Sequence, residues 1–71
     1  MKGYVIKWRN RYSGEEGFVE KISVKEKHFI NTYDPNKAHL YTRKSSLTSA
    51  LKTLEDIGET VNNVFYVVEC N

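Results

Sequence analysis

Lys7, Arg9 and Arg11 occupy alternate positions in the stretch Tyr4-Val5-Ile6-Lys7-Trp8-Arg9-Asn10-Arg11-Tyr12-Ser13-Gly14. In an extended chain a period of two sends such residues to one side, so the spacing predicts three cations in a row. Lys21 and Lys25 add to the row from the following segment, and Arg43-Lys44 form a further basic pair. Cations in that arrangement can hold phosphates or the carboxylates of an acidic protein surface. The plain alternative is a solvated face, with strand lysines discouraging edge pairing. Binding of single-stranded nucleic acid on a sheet also needs aromatic rings beside the cations. Here Tyr4, Trp8 and Tyr12 alternate with the basic residues and are expected on the opposite face, which weakens the nucleic-acid reading. Glu15, Glu16 and Glu20 would offset the cations locally.

Other chemistry-bearing residues do not assemble into a reactive set. His28 and His39 have no Cys or carboxylate at a diagnostic interval, so no metal is expected. Cys70 is the one cysteine; it cannot form a disulfide within the chain, and nothing in its neighbourhood activates a thiolate. Ser45 and Ser46 read as helix caps rather than nucleophiles, and the adjacent Glu15 and Glu16 point apart on a turn. With no triad, metal set or phosphate loop, and little expected room for a ligand pocket, we expect a non-enzymatic protein without a cofactor.

The elements that would position the basic row follow from periodicity. Tyr4, Ile6, Trp8 and Tyr12 form the inward row of a first strand. Ser13 to Gly17 make a turn, and Phe18, Ile22 and Val24 continue in phase as a second strand. His28 to Tyr33 suit a third short strand, ended by Asp34-Pro35-Asn36. Ala38 to Thr42 suggest a brief strand before a helix. Leu47, Ala50, Leu51, Leu54 and Ile57 recur at helical spacing, with Ser45 or Ser46 as N-cap and Gly58 at the C-terminal end. Val64-Phe65-Tyr66-Val67-Val68 is continuously apolar, as a strand central in a sheet would be. The expectation is a single α+β domain over residues 1-71: a small antiparallel sheet of three or four strands with one helix packed on it, in ββ(β)αβ order. One sheet face then lacks a helix, and the loop 33 to 46, a homodimer or a partner protein would cover it.

Size and charge narrow the partners. A chain of 71 residues buries only about 60% of its unfolded surface. Residues 1 to 44 carry ten Lys or Arg against five Asp or Glu, whereas residues 45 to 71 carry Lys52 against Glu55, Asp56, Glu59 and Glu69. A dipolar molecule of net charge +2 lacks the dense negative surface that mimicry of DNA requires. The N-terminal residues lack the apolar core of a signal peptide and no run approaches a membrane span, so a cytoplasmic protein without membrane contact is expected.

The opening Tyr4-Val5-Ile6-Lys7 strand, the glycine-containing hairpin, Ala38 and Tyr41, then Ser45 or Ser46 leading to Ala50-Leu51 and a closing apolar strand, together resemble small accessory proteins of phages and prophages of Gram-positive bacteria. That resemblance implies a cytoplasmic location in a bacterial host and stoichiometric binding. The protein would inhibit or redirect a host or defence protein complex, as anti-CRISPR proteins do. Lys7, Arg9, Arg11, Lys21, Lys25, Arg43 and Lys44 are the candidate contact residues. Direct binding of nucleic acid by Lys7, Arg9 and Arg11 is the alternative, and a homodimer is an open possibility.

Overall fold

The structure is a computed structural model that describes residues 2–70. Four antiparallel strands and one helix follow in βββαβ order: β1 (Gly3–Asn10), β2 (Glu16–Ser23), β3 (His28–Thr32), α1 (Lys44–Asp56) and β4 (Asn63–Cys70), with short 3-10 turns at Pro35–Lys37 and Glu59–Val61. The sheet order is β3-β2-β1-β4. The expected α+β fold is therefore the observed one, with all four strands present. β4, however, is an edge strand and not a central one. An unbroken apolar run signals burial on both faces in parallel sheets, but here it lies at the rim with Val64, Val67 and Val68 exposed.

The core lies between the sheet and α1. Ile6, Trp8, Val19, Leu47, Ala50 and Leu54 are buried together, and Tyr4, Ile22, Phe29, Tyr41, Leu51, Ile57 and Phe65 pack against them. Full burial of a side chain such as Ile6 or Leu54 contributes roughly 1.5–3 kcal/mol. Phe29 from one edge strand and Phe65 from the other meet edge-to-face with centroids 5.3 Å apart, so the sheet curves around this core.

The inward row of β1 is as expected at Tyr4, Ile6 and Trp8, but Tyr12 lies in the following turn and is 80% exposed. Gly17 pairs with Trp8, and a Cβ at that glycine would sit 2.8 Å from three atoms of the indole. The bulk of Trp8 thus requires the absence of a side chain opposite it. The indole Nε1 is buried and has no hydrogen-bond acceptor among the described residues.

In β2 the expected phase fails. Val19 is fully buried and Ile22 joins the core, three residues later, because the register with β3 shifts between Val19 and Lys21. A bulge inserts one extra residue and reverses the alternation. Phe18 consequently faces away from the helix, opposite Lys7, and Val24 is in the exposed turn beyond the strand.

The β1–β2 ladder covers Lys7↔Phe18 to Arg9↔Glu16, and residues 39–41 enter where the two strands part. The His39 amide donates to the Val19 carbonyl at 3.1 Å, and Tyr4 and Tyr41 exchange backbone hydrogen bonds of 2.8 and 2.7 Å. The expected brief strand over Ala38 to Thr42 is thus reduced to a single bridge at Tyr41. Within the loop, Leu40 lies so close to Gly3, on the helix-free side of β1, that a Cβ there would meet Leu40 Cδ1 at 2.9 Å.

Helix α1 buries the expected stripe, but its N-cap is Arg43, which makes no side-chain cap hydrogen bond. Ser45 and Ser46 are inside the first turn, two and three residues too late to cap. At the other end Gly58 takes φ 87°, and its amide donates to the Glu55 carbonyl at 3.0 Å. Left-handed backbone after a helix favours glycine.

Candidate binding face

The helix-free side of the sheet gathers the cations with aromatic rings. Lys7 is directly opposite Phe18 on β2 and Tyr66 on β4, and Arg9 is opposite Glu16 and Val64. Residues opposite one another in an antiparallel pair share a face. The Lys7 ammonium lies 5.7 Å from the centroid of the Phe18 ring, within cation–π range. The same register places Val5 against Val68 on this face, with Val5 buried and Val68 exposed.

The sequence expectation places Phe18 on the core side and leaves open which row of β4, Phe65 and Val67 or Tyr66 and Val68, faces outward. The pairing resolves the second point. Phe65 is opposite Trp8 and Val67 opposite Ile6 on the helix side, leaving Val64, Tyr66 and Val68 outward. A signal for the first lay in Val19 and Ile22, whose apolar spacing of three fits a strand only through a bulge.

The tip of the β1–β2 hairpin is shaped by Asn10. Its side-chain carbonyl accepts from the amides of Tyr12 and Ser13, each at 2.9 Å, and its backbone carbonyl accepts from Gly14 at 3.0 Å. Gly14 at φ 75° closes the turn. The resulting open cleft of about 560 Å³ is lined by Arg9, Asn10, Arg11, Tyr12, Ser13, Gly14, Val64 and Tyr66. Against the expectation of little room for a ligand pocket, this open space comes from the hairpin standing beside β4 and not from the thin core. Within this cleft Arg11 is partly committed, its Nε donating to the Thr60 carbonyl at 3.1 Å.

Charge on this face is organised around Glu16. The Tyr66 hydroxyl donates to Glu16 Oε1 at 2.7 Å. That bond, followed by the nearby Lys7 and Arg9 charges, holds the Glu16 carboxyl below its ordinary value, and the same bond pushes the Tyr66 phenol up. Glu16 thus neutralises part of the cationic row, as expected from its place in the hairpin. Glu15, by contrast, accepts a hydrogen bond from the Tyr33 hydroxyl.

The seven candidate cations do not form one patch. Lys7 and Arg9 are on the helix-free face and Arg11 is just beyond it, beside the cleft. Lys21 faces the same way but two strands from β4, opposite Ile30. Lys25 is in the β2–β3 turn, and Arg43 and Lys44 start the helix that covers the other face. His28 is 3.6 Å from Glu26, whereas the His39 ring lies tilted against Tyr41 with centroids 4.4 Å apart. Among the described residues no three His, Cys, Asp or Glu side chains come together as a metal set, and no helix is long and apolar enough to cross a membrane. Comparison of the chain with protein-family models, curated proteins and solved structures finds no match.

Proposed function

We propose that the protein is a non-enzymatic binding module whose helix-free sheet face docks on an acidic surface of a host or defence protein complex. The observation that carries this reading is the flanking of Lys7 by Phe18 and Tyr66, with Arg9, Val64 and Val68 alongside. Aromatic residues and arginine beside apolar contact area are what the centres of protein interfaces favour. A surface built only to hold phosphates would not place Glu16 among its cations. The resemblance to phage and prophage accessory proteins supplies the direction of the effect, inhibition or redirection of the bound complex within a bacterial host.

The cleft favours a second reading, direct binding of nucleic acid. Tyr12 and Tyr66 stand beside Arg9 and Arg11 there, a combination that can stack a base and hold its phosphate. Affinity capture from a nuclease-treated bacterial lysate separates the two. In the protein reading a defined partner survives nuclease treatment and is lost with Arg9→Ala combined with Phe18→Ala. In the nucleic-acid reading the lysate yields no such partner. Purified protein then binds single-stranded RNA or DNA with an affinity that falls steeply with salt and drops with Arg9→Ala and Arg11→Ala.

A further inference from the structure

The two edges of the sheet are built differently. β3 has five residues, its neighbour β2 carries the bulge, and the chain leaves it through Asp34 and Pro35. Shortness, bulges and proline all blunt an edge against further pairing. β4 has eight residues and pairs with β1 at eight successive positions without a register shift. Its side away from β1 has no neighbouring strand among the described residues, and Val64, Val67 and Val68 are exposed along the strand. A long, regular, apolar edge with free backbone donors and acceptors is a template for another strand.

We propose that β4 pairs antiparallel with β4 of a second copy about a twofold axis through Tyr66, joining two four-stranded sheets into one of eight. The strand is self-complementary in that register. Residues on one face must stay on one face across an antiparallel pair, so the axis passes through a residue, not between two. Through Tyr66 it sets Val64 against Val68, Phe65 against Val67 and Asn63 against Glu69, with the two Tyr66 residues facing each other. The one charged side chain of the strand thus meets an amide, and no charge meets its like. An axis through Val67 would place Phe65 against Glu69, and one through Phe65 would leave Val68 and Glu69 beyond the start of the partner strand. This self-matching is what selects a second copy over a foreign strand. The pairing also brings Lys7 and Arg9 of both copies onto one continuous face, on either side of the paired tyrosines.

Sedimentation velocity over a concentration series and cysteine crosslinking test this independently of any partner. Wild-type protein is expected to approach twice the 8.3 kDa chain mass with rising concentration. Tyr66→Cys with Cys70→Ser should form a covalent dimer on mild oxidation, because directly opposed Cβ atoms lie about 5 Å apart. Glu69→Cys with Cys70→Ser should not, its two copies being displaced along the strands. Val68→Lys should weaken the dimer at least about tenfold with an unchanged far-ultraviolet circular dichroism spectrum. A monomer at every concentration up to ~1 mM would overturn the proposal. So would crosslinking of Glu69→Cys as readily as Tyr66→Cys, or a dimer indifferent to Val68→Lys.

Discussion

On the helix side of β1, Ile6 and Trp8 are sealed beneath Leu47, Ala50 and Leu54, while on the other side Lys7 and Arg9 lie beside Phe18 and Tyr66 with no helix above them. Both faces carry large rings, so hydrophobicity alone does not separate them. What differs is closure. The inner rings contact one another at 5.3 to 6.1 Å, whereas the outer rings contact a cation and a carboxylate. Folding energy is therefore concentrated on one face, and the other is available for recognition.

The largest effect that would break this contrast comes from the inner face. Leu54→Ala, at a fully buried position, should cost about 2–5 kcal/mol. That is most of the stability of a small domain, and urea denaturation would register it as a much lower midpoint. Gly17→Ala follows. Its new methyl would stand 2.8 Å from the Trp8 indole, and because the ring is wedged in the core the overpacking should cost about 1–3 kcal/mol. An unchanged midpoint for Gly17→Ala would mean that Trp8 is not held against β2 and that the inner face is looser than described.

A change of opposite sign is expected at the helix start. Arg43→Ser would place a hydroxyl where no side chain now caps α1, adding about 1 kcal/mol, or roughly 4–8 °C in Tm. Because Arg43 is on the helix-covered side, partner capture should be unaffected by the substitution. Loss of capture would extend the binding surface around to that side. Lys7→Ala and Arg9→Ala should each alter stability by less than about 0.5 kcal/mol while weakening partner capture, which is the sharpest form of the contrast between the faces.

How far the two faces were legible in the sequence depended on phase. The even row Tyr4, Ile6 and Trp8 and the α1 stripe were readable because each repeats without interruption over its element. Beyond Asn10 the period of two no longer applied, since the Asn10 side chain bonds the Tyr12 and Ser13 amides and bends the chain out of the strand. Phe18 was misplaced because a bulge two residues later resets the alternation, and a bulge is fixed by pairing with another strand rather than by local residues. The position of β4 at the edge was illegible for a similar reason. Its apolar run suits a central strand equally well, and strand order is decided by the crossover through α1. The candidate cations were found by type, but only the fold could show that Lys7 and Arg9 share a face with aromatic rings while Arg43 and Lys44 do not.

The finest test of the outer face is its titration. The Tyr66 hydrogen bond and then the Lys7 and Arg9 charges lower the Glu16 pKa from an ordinary 4.5. A depressed carboxylate stabilises the fold above its ordinary value and loses that contribution as pH falls through the lowered one, so the Glu16 link should weaken only below about pH 4.5. The raised Tyr66 phenol behaves oppositely, contributing below its ordinary 10.0 and losing the contribution as pH rises through the raised value. Both groups are solvent-exposed, so the effect on stability should be slight and is better read at the carboxyl itself. Carbon-detected NMR titration of Glu16 should give a midpoint below 4.5 in the wild type, shifted upward in Tyr66→Phe. Added salt should reduce what depression remains in that variant, because Lys7 and Arg9 then act alone through screened charge. A midpoint that does not move in Tyr66→Phe would show that the cations alone hold Glu16, leaving the tyrosine hydroxyl free for a partner.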